Sequence, residues 1–517
     1  MSMELFFLII YFMAMIGIGL WSMRKSTADS EAFLLGGRSL GPAVTALRLQ
    51  STSMSGYMFM GAGSLANTQG YFSMWYALGD VGGGVLNLSI LGRRMRKLSQ
   101  MLGAITSIGY LEHRYPSVWT RLIAAPIALF CMFFYLLAQF LAGGQGLSMV
   151  TGISLNWSLI IAVGVIVGYT FLGGYLAVAY SDFVQAIIMV VGMLWILIAS
   201  LQAVGGLTQG HEAIGNINEN LLTMWGAEGQ YLGAWGVILG ALLVFSIGYL
   251  GWPHVVVGHM SMSRPSVARQ ASIYSTGFNL LFIPSAYIIG MLSLLIVPNL
   301  DNPELAIFQV AETVLPPVAV GIVMAAIMAA IMSTADALLL QAGTIASHDL
   351  WARFTKSVNP KTSVNVSRLT VLLLAVVGLV LAMARPPGVF SIVVFATTVL
   401  GSAFVPAYVC AVWWKRANTV GALSSMVVGT AAAVTAQVVD STELLGVDPM
   451  VIGIAGSVLA MVIGSLTTQK SHPVPERIAE AVREAGRVAP IPARLLIGED
   501  AALASQRPAD VPAGQER

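Results

Sequence analysis

The chain has 517 residues, 57% of them apolar and only 10% charged, with a formal net charge of +2 and a mean hydropathy of +0.80. A soluble domain carries about 25% charged residues, so a soluble globular class is excluded, and so small a net charge gives nucleic acid no footing. Cys131 and Cys410, the two cysteines, both sit inside apolar runs, which excludes a disulfide framework.

Apolar runs of about 20 residues recur along the whole length and predict an all-α integral membrane protein of about thirteen spans. The first run, Leu5 to Met23, is long for a signal peptide, and Arg24 and Lys25 follow it rather than precede it. It is expected to be a retained first helix, centred near Met13. Later spans centre near Thr52, Gly82, Phe134, Val165, Met193, Leu243, Ser285, Met328, Val377, Gly401, Gly429 and Ile454.

With the N-terminus outside, the inner loops collect the basic residues, among them Arg38, Arg93 to Lys97, Arg114, Arg264, Arg353, Lys356, Lys361 and Lys415. The outer loops hold Glu212, Glu219, Glu228, Asp301, Glu304 and Glu312, with Arg385 as the basic exception. This bias predicts a multi-pass protein of a plasma or inner membrane with a cytoplasmic C-terminus. Beyond Thr468 the chain turns polar, and its stretch PERIAEAVREAGRV is expected in a disordered cytoplasmic tail, a membrane-surface helix being the alternative.

Two spans carry breakers. The span around Thr52 contains RLQSTSMSGYMFMGAGS, Arg48 to Ser64, crowded with hydroxyls and glycines. The span around Leu243 contains FSIGYLGWPH, Phe245 to His254, with two glycines and a proline. Each opens a block of five spans, 40–207 and 232–414, and an odd number of spans gives the blocks opposite orientation. Matched breaks in inverted repeats are a pattern of secondary transporters, and carbonyls freed there suit a hard cation such as Na⁺ where they line a cavity. Glycine also serves close helix packing alone. The other divisions are 1–39, the first helix and an inner loop; 208–231, an outer loop; 415–467, two flanking spans; and 468–517, the tail.

The stretch AAIMAAIMSTADALLLQAG, Ala325 to Gly343, brings Ser333, Thr334 and Asp336 together in mid-span. A carboxylate there requires a partner. The two hydroxyls are uncharged oxygen ligands, and Ala330, three residues earlier, offers a carbonyl on the same face. Back-bonding of the hydroxyls to their own helix is the competing reading.

Longer motifs resemble a known family. FLLGGRSLGPAVTAL (Phe33 to Leu47), SMSGYMFMGAG (Ser53 to Gly63), TFLGGYLAVAYSDFVQA (Thr170 to Ala186), GYLGWPH, AAIMSTADALLL and WWKRANTVGALSSMVVG (Trp413 to Gly429) are similar to the sodium/solute symporter family, most of all to its bacterial sodium/proline and sodium/pantothenate members. The resemblance spares only the tail. It implies a leucine-transporter-like core of two inverted five-helix repeats with flanking helices, Na⁺-driven uptake by alternating access, and no enzymatic activity. It further implies that Ser333, Thr334 and the Ala330 carbonyl close one side of a Na⁺ site, with the carbonyls of Ser51 and Met54 on the other. Some members build a second sodium site from an aspartate matching Asp182, at the inner end of the fifth core helix, and hydroxyls of the Ser333 helix. Asp336 stands where such a member has serine. Asp182 and Asp336 together would then hold a second cation or a shared proton; a helix N-cap for Asp182 and an inner basic partner for Asp336 are the structural alternatives.

The departures concern the solute. Proline members of the family carry an aspartate at the position of Ser53 and a tryptophan at that of Phe245. Arg48 lies in the first core helix, where it is expected to pair with Asp80 of the next span, direct substrate contact being the alternative. Ser53, Ser55, Gly56, Tyr57, Phe245, Tyr249 and Trp252 flank the two breaks and are the candidate solute residues, Gly56 through backbone contact with a carboxylate. The expected function is Na⁺-coupled symport of a small carboxylate-bearing organic solute: an amino acid such as proline first, pantothenate or another monocarboxylate second. Partners are that solute, Na⁺ and the lipid bilayer, without nucleic acid, and a monomer is expected to suffice. A membrane sensor on the same fold is the alternative of another class, and the short polar tail, with no kinase-like domain, argues against it. A passive channel is a further alternative, which counterflow of labelled solute would distinguish from a carrier.

Overall fold

The computed structural model describes residues 3–23, 30–170, 175–355, 360–384, 386 and 388–496. Arg24, Lys25, Lys356 and Arg385, with Phe171 to Gly174 of the TFLGG motif, lie outside that set. Each expected span centre, from Met13 to Ile454, falls inside a helix. Among the described residues no strand forms; two isolated β-bridges join Leu40 to Met262 and Gly236 to Val447. In hydrocarbon every backbone polar group has to be satisfied within the protein, and a helix does this within one segment.

In chain order the main helices are α1 (Met3–Met23), α2 (Pro42–Ser53), α3 (Gly63–Gln69), α4 (Met74–Asn87), α5 (Arg93–Met101), α6 (Val118–Thr151), α7 (Leu155–Thr170), α8 (Tyr175–Ala203) and α9 (Trp235–Ser246). They continue with α10 (Pro253–Met260), α11 (Val267–Ile296), α12 (Pro317–Thr344), α13 (Pro360–Met383), α14 (Val389–Trp413), α15 (Thr419–Val438), α16 (Pro449–Thr467) and α17 (Glu476–Gly486). Among the described residues eight helices are long and apolar enough to cross a membrane unaided. The expected interrupted spans divide into the pairs α2–α3 and α9–α10.

Helix α12 is the central column. In its span, Pro317–Trp351, 89% of the apolar window is buried, against 22% in Val364–Met383 of α13. It packs on α1, α2, α6, α8 and α13. Its small residues, Ala325, Ala326, Ala329 and Ala330, let those neighbours come close without side-chain bulk. Helix α13 therefore leaves most of its apolar surface uncovered by the protein.

Both breaks have local causes. Helix α2 ends at Ser53, and Met54 leaves helical geometry at φ −87°, ψ 68°. The chain resumes through Gly56 and a π-turn, Met58–Ala62, into α3. Helix α9 ends at Ser246, a 3₁₀ turn spans Gly248–Gly251, and Trp252 is extended. Pro253 then starts α10 at its first turn, where a missing N–H costs nothing. Two further π-turns, Leu88–Gly92 and Ile345–Trp351, were not legible in the sequence; the first carries α4 into α5 without a stop.

Contacts join neighbouring elements on both sides of the breaks. On the side where α2 begins, Arg38 donates to Met260 O at 3.0 Å, Ala104 O at 3.0 Å and Ser99 Oγ at 2.8 Å. Arg96 Nε donates to Met262 O at 2.6 Å. On the other side the 208–231 loop folds over the end of α3: Trp75 donates to Met224 O at 3.0 Å, Phe72 stacks on Tyr231 at 4.3 Å, and Gln230 reaches Gln69 at 2.7 Å. Gly70, with φ +57°, leaves no room for a side chain beneath the Leu221 backbone.

The tail departs from expectation. Residues 476–486 form helix α17, docked against α5 and α14 rather than disordered. Ile478, Ala481, Val482 and Ala485 are buried in the contact. At its C-terminal end, where cations are favoured, Lys97 Nζ donates to Arg487 O at 2.8 Å and Ala489 O at 2.6 Å, and Arg93 donates to Arg487 O. The amphipathic pattern was in the sequence; the receptor for it, made by α5, was not. Replacing Lys97 with Ala removes two charge-assisted hydrogen bonds, each worth roughly 1.5–3 kcal/mol. Amide exchange across 476–486 should then rise at least about ten-fold. Unchanged exchange would mean that the apolar face alone holds the helix.

Candidate functional site

The end of α2 meets α12 through hydroxyl–carbonyl contacts. Ser333 Oγ donates to Ser51 O at 2.9 Å, with Ala330 O at 3.1 Å. Thr334 Oγ1 donates to Thr52 O at 2.8 Å, with Ala330 O at 3.3 Å. Five neutral oxygens from two helices thus gather in a site with no solvent access. They are hard ligands of low charge, and the hydroxyl protons can swing away to expose lone pairs, so the donor set fits an alkali cation. Among the described residues no cluster of three or more His, Cys, Asp or Glu offers a transition-metal alternative. Of the expected ligands, Ser51, Ala330, Ser333 and Thr334 come together. Thr52, which the sequence reading passed over, brings its carbonyl to the same place. Met54 is the helix cap just beyond them, its N–H on Gln50 O at 2.7 Å.

Beside this group lies a buried charge cluster. Asp182 Oδ2 accepts from Thr52 Oγ1 at 3.2 Å and lies 3.8 Å from Arg48 Nε. Asp336 is near enough to act electrostatically on Asp182. The Arg48 guanidinium covers the Tyr175 ring at 4.6 Å and reaches His254 O at 3.4 Å. The expected Arg48–Asp80 pair is therefore corrected: Arg48 turns to α8, and Asp80 is held elsewhere. The N-cap alternative for Asp182 also falls, because it sits two turns inside α8.

The seven candidate solute residues collect at the two breaks. Tyr57 stacks on Phe245 at 4.6 Å, and Tyr249 meets Trp252 edge-on at 4.4 Å. Ser55 Oγ accepts from Tyr135 OH at 3.1 Å and from the Tyr57 N–H at 3.2 Å. The Gly56 N–H, freed by the break, donates to Gln139 Oε1 at 3.0 Å. A side chain on Gly56 would strike Ile331 and Ala142, so glycine is required there by close approach. Ser53 differs from the others: its hydroxyl bonds back to Leu49 O at 2.8 Å. Two buried donors in this region, Gln139 Nε2 and Trp252 Nε1, meet no partner among the described residues. Asp80, one helix behind, accepts from the hydroxyls of Tyr57 and Tyr249, with Tyr287 OH at 3.4 Å.

Tyr135, Gln139 and Tyr287 were missed from sequence. Tyr135 and Gln139 carried a signal: two polar groups four residues apart, on one face of an apolar helix.

Comparison with known proteins follows the same lines. The sequence pattern of the sodium:solute symporter family matches residues 33–429. The osmoregulated proline transporter OpuE of Bacillus subtilis is 30% identical over 433 residues, covering 82% of this chain and 87% of that protein. A sodium/proline symporter of Staphylococcus aureus is 28% identical over 438 residues, covering 82% and 84%. Among solved structures, a substrate-bound, outward-open Na⁺-coupled sialic acid symporter matches with TM-score 0.75 at 18% identity, over 90% of this chain and 98% of that one. Mhp1, a nucleobase-cation-symport-1 family transporter in a closed conformation, matches with TM-score 0.57 at 16% identity, over 88% and 98%. The fold is accordingly leucine-transporter-like.

Breaking the charge cluster has a measurable consequence. Arg48→Gln strands Asp182 without its cation, a loss of about 3 kcal/mol for a buried pair. The purified protein in detergent should melt several degrees lower, and Asp182→Asn added to Arg48→Gln should recover part of that shift. An unchanged melting temperature in the single variant would remove Arg48 from any stabilising role.

Proposed function

We propose a solute and a coupling scheme on one premise: the chain belongs to the sodium:solute symporter family, and so is a multi-pass, Na⁺-coupled solute carrier rather than an enzyme. The solute is a small amino acid of the proline type, taken up by alternating access. The proline transporters among its relatives support this reading. So does the chemistry at the breaks, where the unpartnered donors of Gln139 and Trp252 suit a carboxylate. Pantothenate or another monocarboxylate would satisfy the same two donors and is the second reading.

The observation that carries the coupling is the meeting of Ser333 and Thr334 with the Ser51, Thr52 and Ala330 carbonyls. These oxygens, with the Met54 carbonyl from the break itself, are the proposed Na⁺ ligands. They come from two helices, so the ion binds well only when the end of α2 lies against α12. The solute residues follow α2 directly, from Ser53 to Tyr57. Ion and solute then favour one common arrangement, which is thermodynamic coupling. Two inverted repeats, α2–α8 and α9–α14, frame the site. Both termini keep the orientation that the basic residues favour, N-terminus outside and C-terminus cytoplasmic, and a monomer is the working unit.

The stoichiometry is one Na⁺ per cycle. Arg48 lies against Asp182, so a fixed cation already compensates one of the two carboxylates that a second Na⁺ would need. A Hill coefficient for Na⁺ near one in wild-type uptake supports this; a coefficient near two would restore the second site.

Uptake into proteoliposomes, with a panel of labelled amino acids and monocarboxylates and with or without a Na⁺ gradient, tests the solute. Ser333→Ala and Thr334→Ala test the ion. Each deletes one of few available oxygens, and each should raise the Na⁺ concentration for half-maximal uptake roughly ten-fold, the equivalent of one lost charge-assisted contact of about 1.4 kcal/mol. Wild-type Na⁺ dependence in both variants would sink the assignment of α12.

A further inference from the structure

Asp80 is an unusual residue for the middle of a membrane helix. It is fully buried in α4. Among the described residues no Lys, Arg or His lies within ion-pairing distance of it, and the partner expected from sequence, Arg48, is engaged by Asp182. Among the described residues its oxygens are met only by tyrosine hydroxyls. Two of these belong to the breaks themselves: Tyr57 follows the first, and Tyr249 lies in the turn of the second. The third, Tyr287 of α11, also bonds Tyr57 OH at 3.1 Å.

The sequence around Asp80 is built for this contact. In GDVGGG, Gly83 stands one turn along the face that carries Asp80, and any side chain there would strike the Tyr249 ring and the Phe245 carbonyl. The second break can lie flat on α4 only because that face is bare. A hydrogen-bonding role alone would be met by asparagine. A carboxylate with three hydroxyl donors keeps acceptor capacity for one more group, and its charge in a low-dielectric setting calls for a cation that none of the described residues supplies.

We propose that Asp80, with the hydroxyls of Tyr57, Tyr249 and Tyr287, is the subsite that receives the ammonium group of a zwitterionic amino acid. The inference rests on the transport reading above and narrows it: the solute must carry an amine as well as a carboxylate. Its two ends are recognised by different helices. The carboxylate meets donors around Ser55 and Gly56, including Gln139 and Trp252, and the amine meets Asp80 through the break tyrosines. Tyr57 and Tyr249 touch both groups of residues, so the amine reports its arrival to the two broken helices at once. A monocarboxylate without an amine leaves Asp80 uncompensated and is rejected, because a buried polar group left unpaired discriminates more strongly than lost apolar contact.

The test uses the full chain in proteoliposomes with labelled proline, competed by unlabelled proline, by tetrahydrofuran-2-carboxylate (ring oxygen for N–H) and by cyclopentanecarboxylate. On wild type both analogues should compete at least roughly a hundred-fold more weakly than proline. In Asp80→Asn the apparent affinity for proline should fall by a similar factor while the analogues change little, so the discrimination collapses. The Na⁺ concentration for half-maximal uptake should stay within about two-fold of wild type, which separates an ammonium subsite from a Na⁺ ligand. Should Asp80→Asn fail to fold, Tyr287→Phe, which takes one hydroxyl from the subsite but keeps the carboxylate, should weaken competition by proline at least about three-fold while the analogues change little, and an unchanged proline affinity there overturns the proposal. Analogues that compete within about ten-fold of proline on wild type overturn the proposal, as does discrimination that survives in Asp80→Asn, or a shift in Na⁺ activation with discrimination intact. If the wild-type panel shows uptake of another amino acid, proline falls as the solute, and the same comparison with that amino acid and its deaminated analogue decides on Asp80. If only amine-free carboxylates are taken up, the Asp80 proposal falls and Na⁺ symport stands.

Discussion

A helix broken inside hydrocarbon exposes backbone groups that water cannot reach, and the architecture of this protein follows from the need to satisfy them. At the first break the Gly56 N–H finds Gln139 on α6, and the carbonyls of Ser51 and Thr52 find the hydroxyls of α12. At the second, Pro253 dispenses with an N–H at the helix start. Each partner comes from a different helix, so the break fixes the positions of α6, α10 and α12 around it. The same groups that satisfy the backbone are polar, uncharged and movable, which is what a passing cation or solute requires. Structural repair and binding chemistry are here one set of atoms.

The buried charges divide the site into separate electrostatic compartments. Asp182, Asp336 and Arg48 lie together at the end where α2, α8 and α12 meet. Asp80 lies apart from them on α4, among tyrosines and with no cation among the described residues. Had Arg48 reached Asp80, both carboxylate groups would have lost their present roles: Asp182 would face Asp336 with no counter-charge, and Asp80 would be neutralised. The direction of a single guanidinium thus decides which carboxylate remains open to an incoming ligand.

Composition and apolar runs carried most of the fold, because lipid imposes length and hydropathy on each span. The two breaks were also legible, since glycine, proline and clustered hydroxyls in mid-span have few other uses. Ser333 and Thr334 were legible as a pair of oxygens, and their partners across the interface were not. Which of Ser51, Thr52 and Met54 turns a carbonyl to α12 depends on where α2 stops winding, and Met54 is only its cap. The Arg48 pairing failed for the same reason. Sequence places Arg48 and Asp80 at comparable depth, but the rotation of α2 about its axis aims the side chain at α8. Tyr135, Gln139 and Tyr287 lie in helices read simply as apolar. The tail helix was visible as an amphipathic pattern, yet its dock on α5 exists only after the chain has folded.

The closures on the two sides differ in kind, and this bears on how the carrier opens. One side is joined by guanidinium groups on backbone carbonyls, Arg38 on Met260 and Ala104, and Arg96 on Met262. Met260 ends α10 and Arg38 precedes α2, so the end of the second broken helix is bound to the start of the first. Helix α17 adds a contact from α5 to α14 on the same side. The other side is joined by a stacked pair and neutral hydrogen bonds between the 208–231 loop and the end of α3. Charge-assisted bonds in a poorly hydrated setting are roughly twice as strong as neutral ones. Breaking the guanidinium contacts is thus the costlier of the two separations. The proposed ion and solute sites draw on the same two broken helices that these contacts join, so filling them and parting the guanidinium side act on one set of elements.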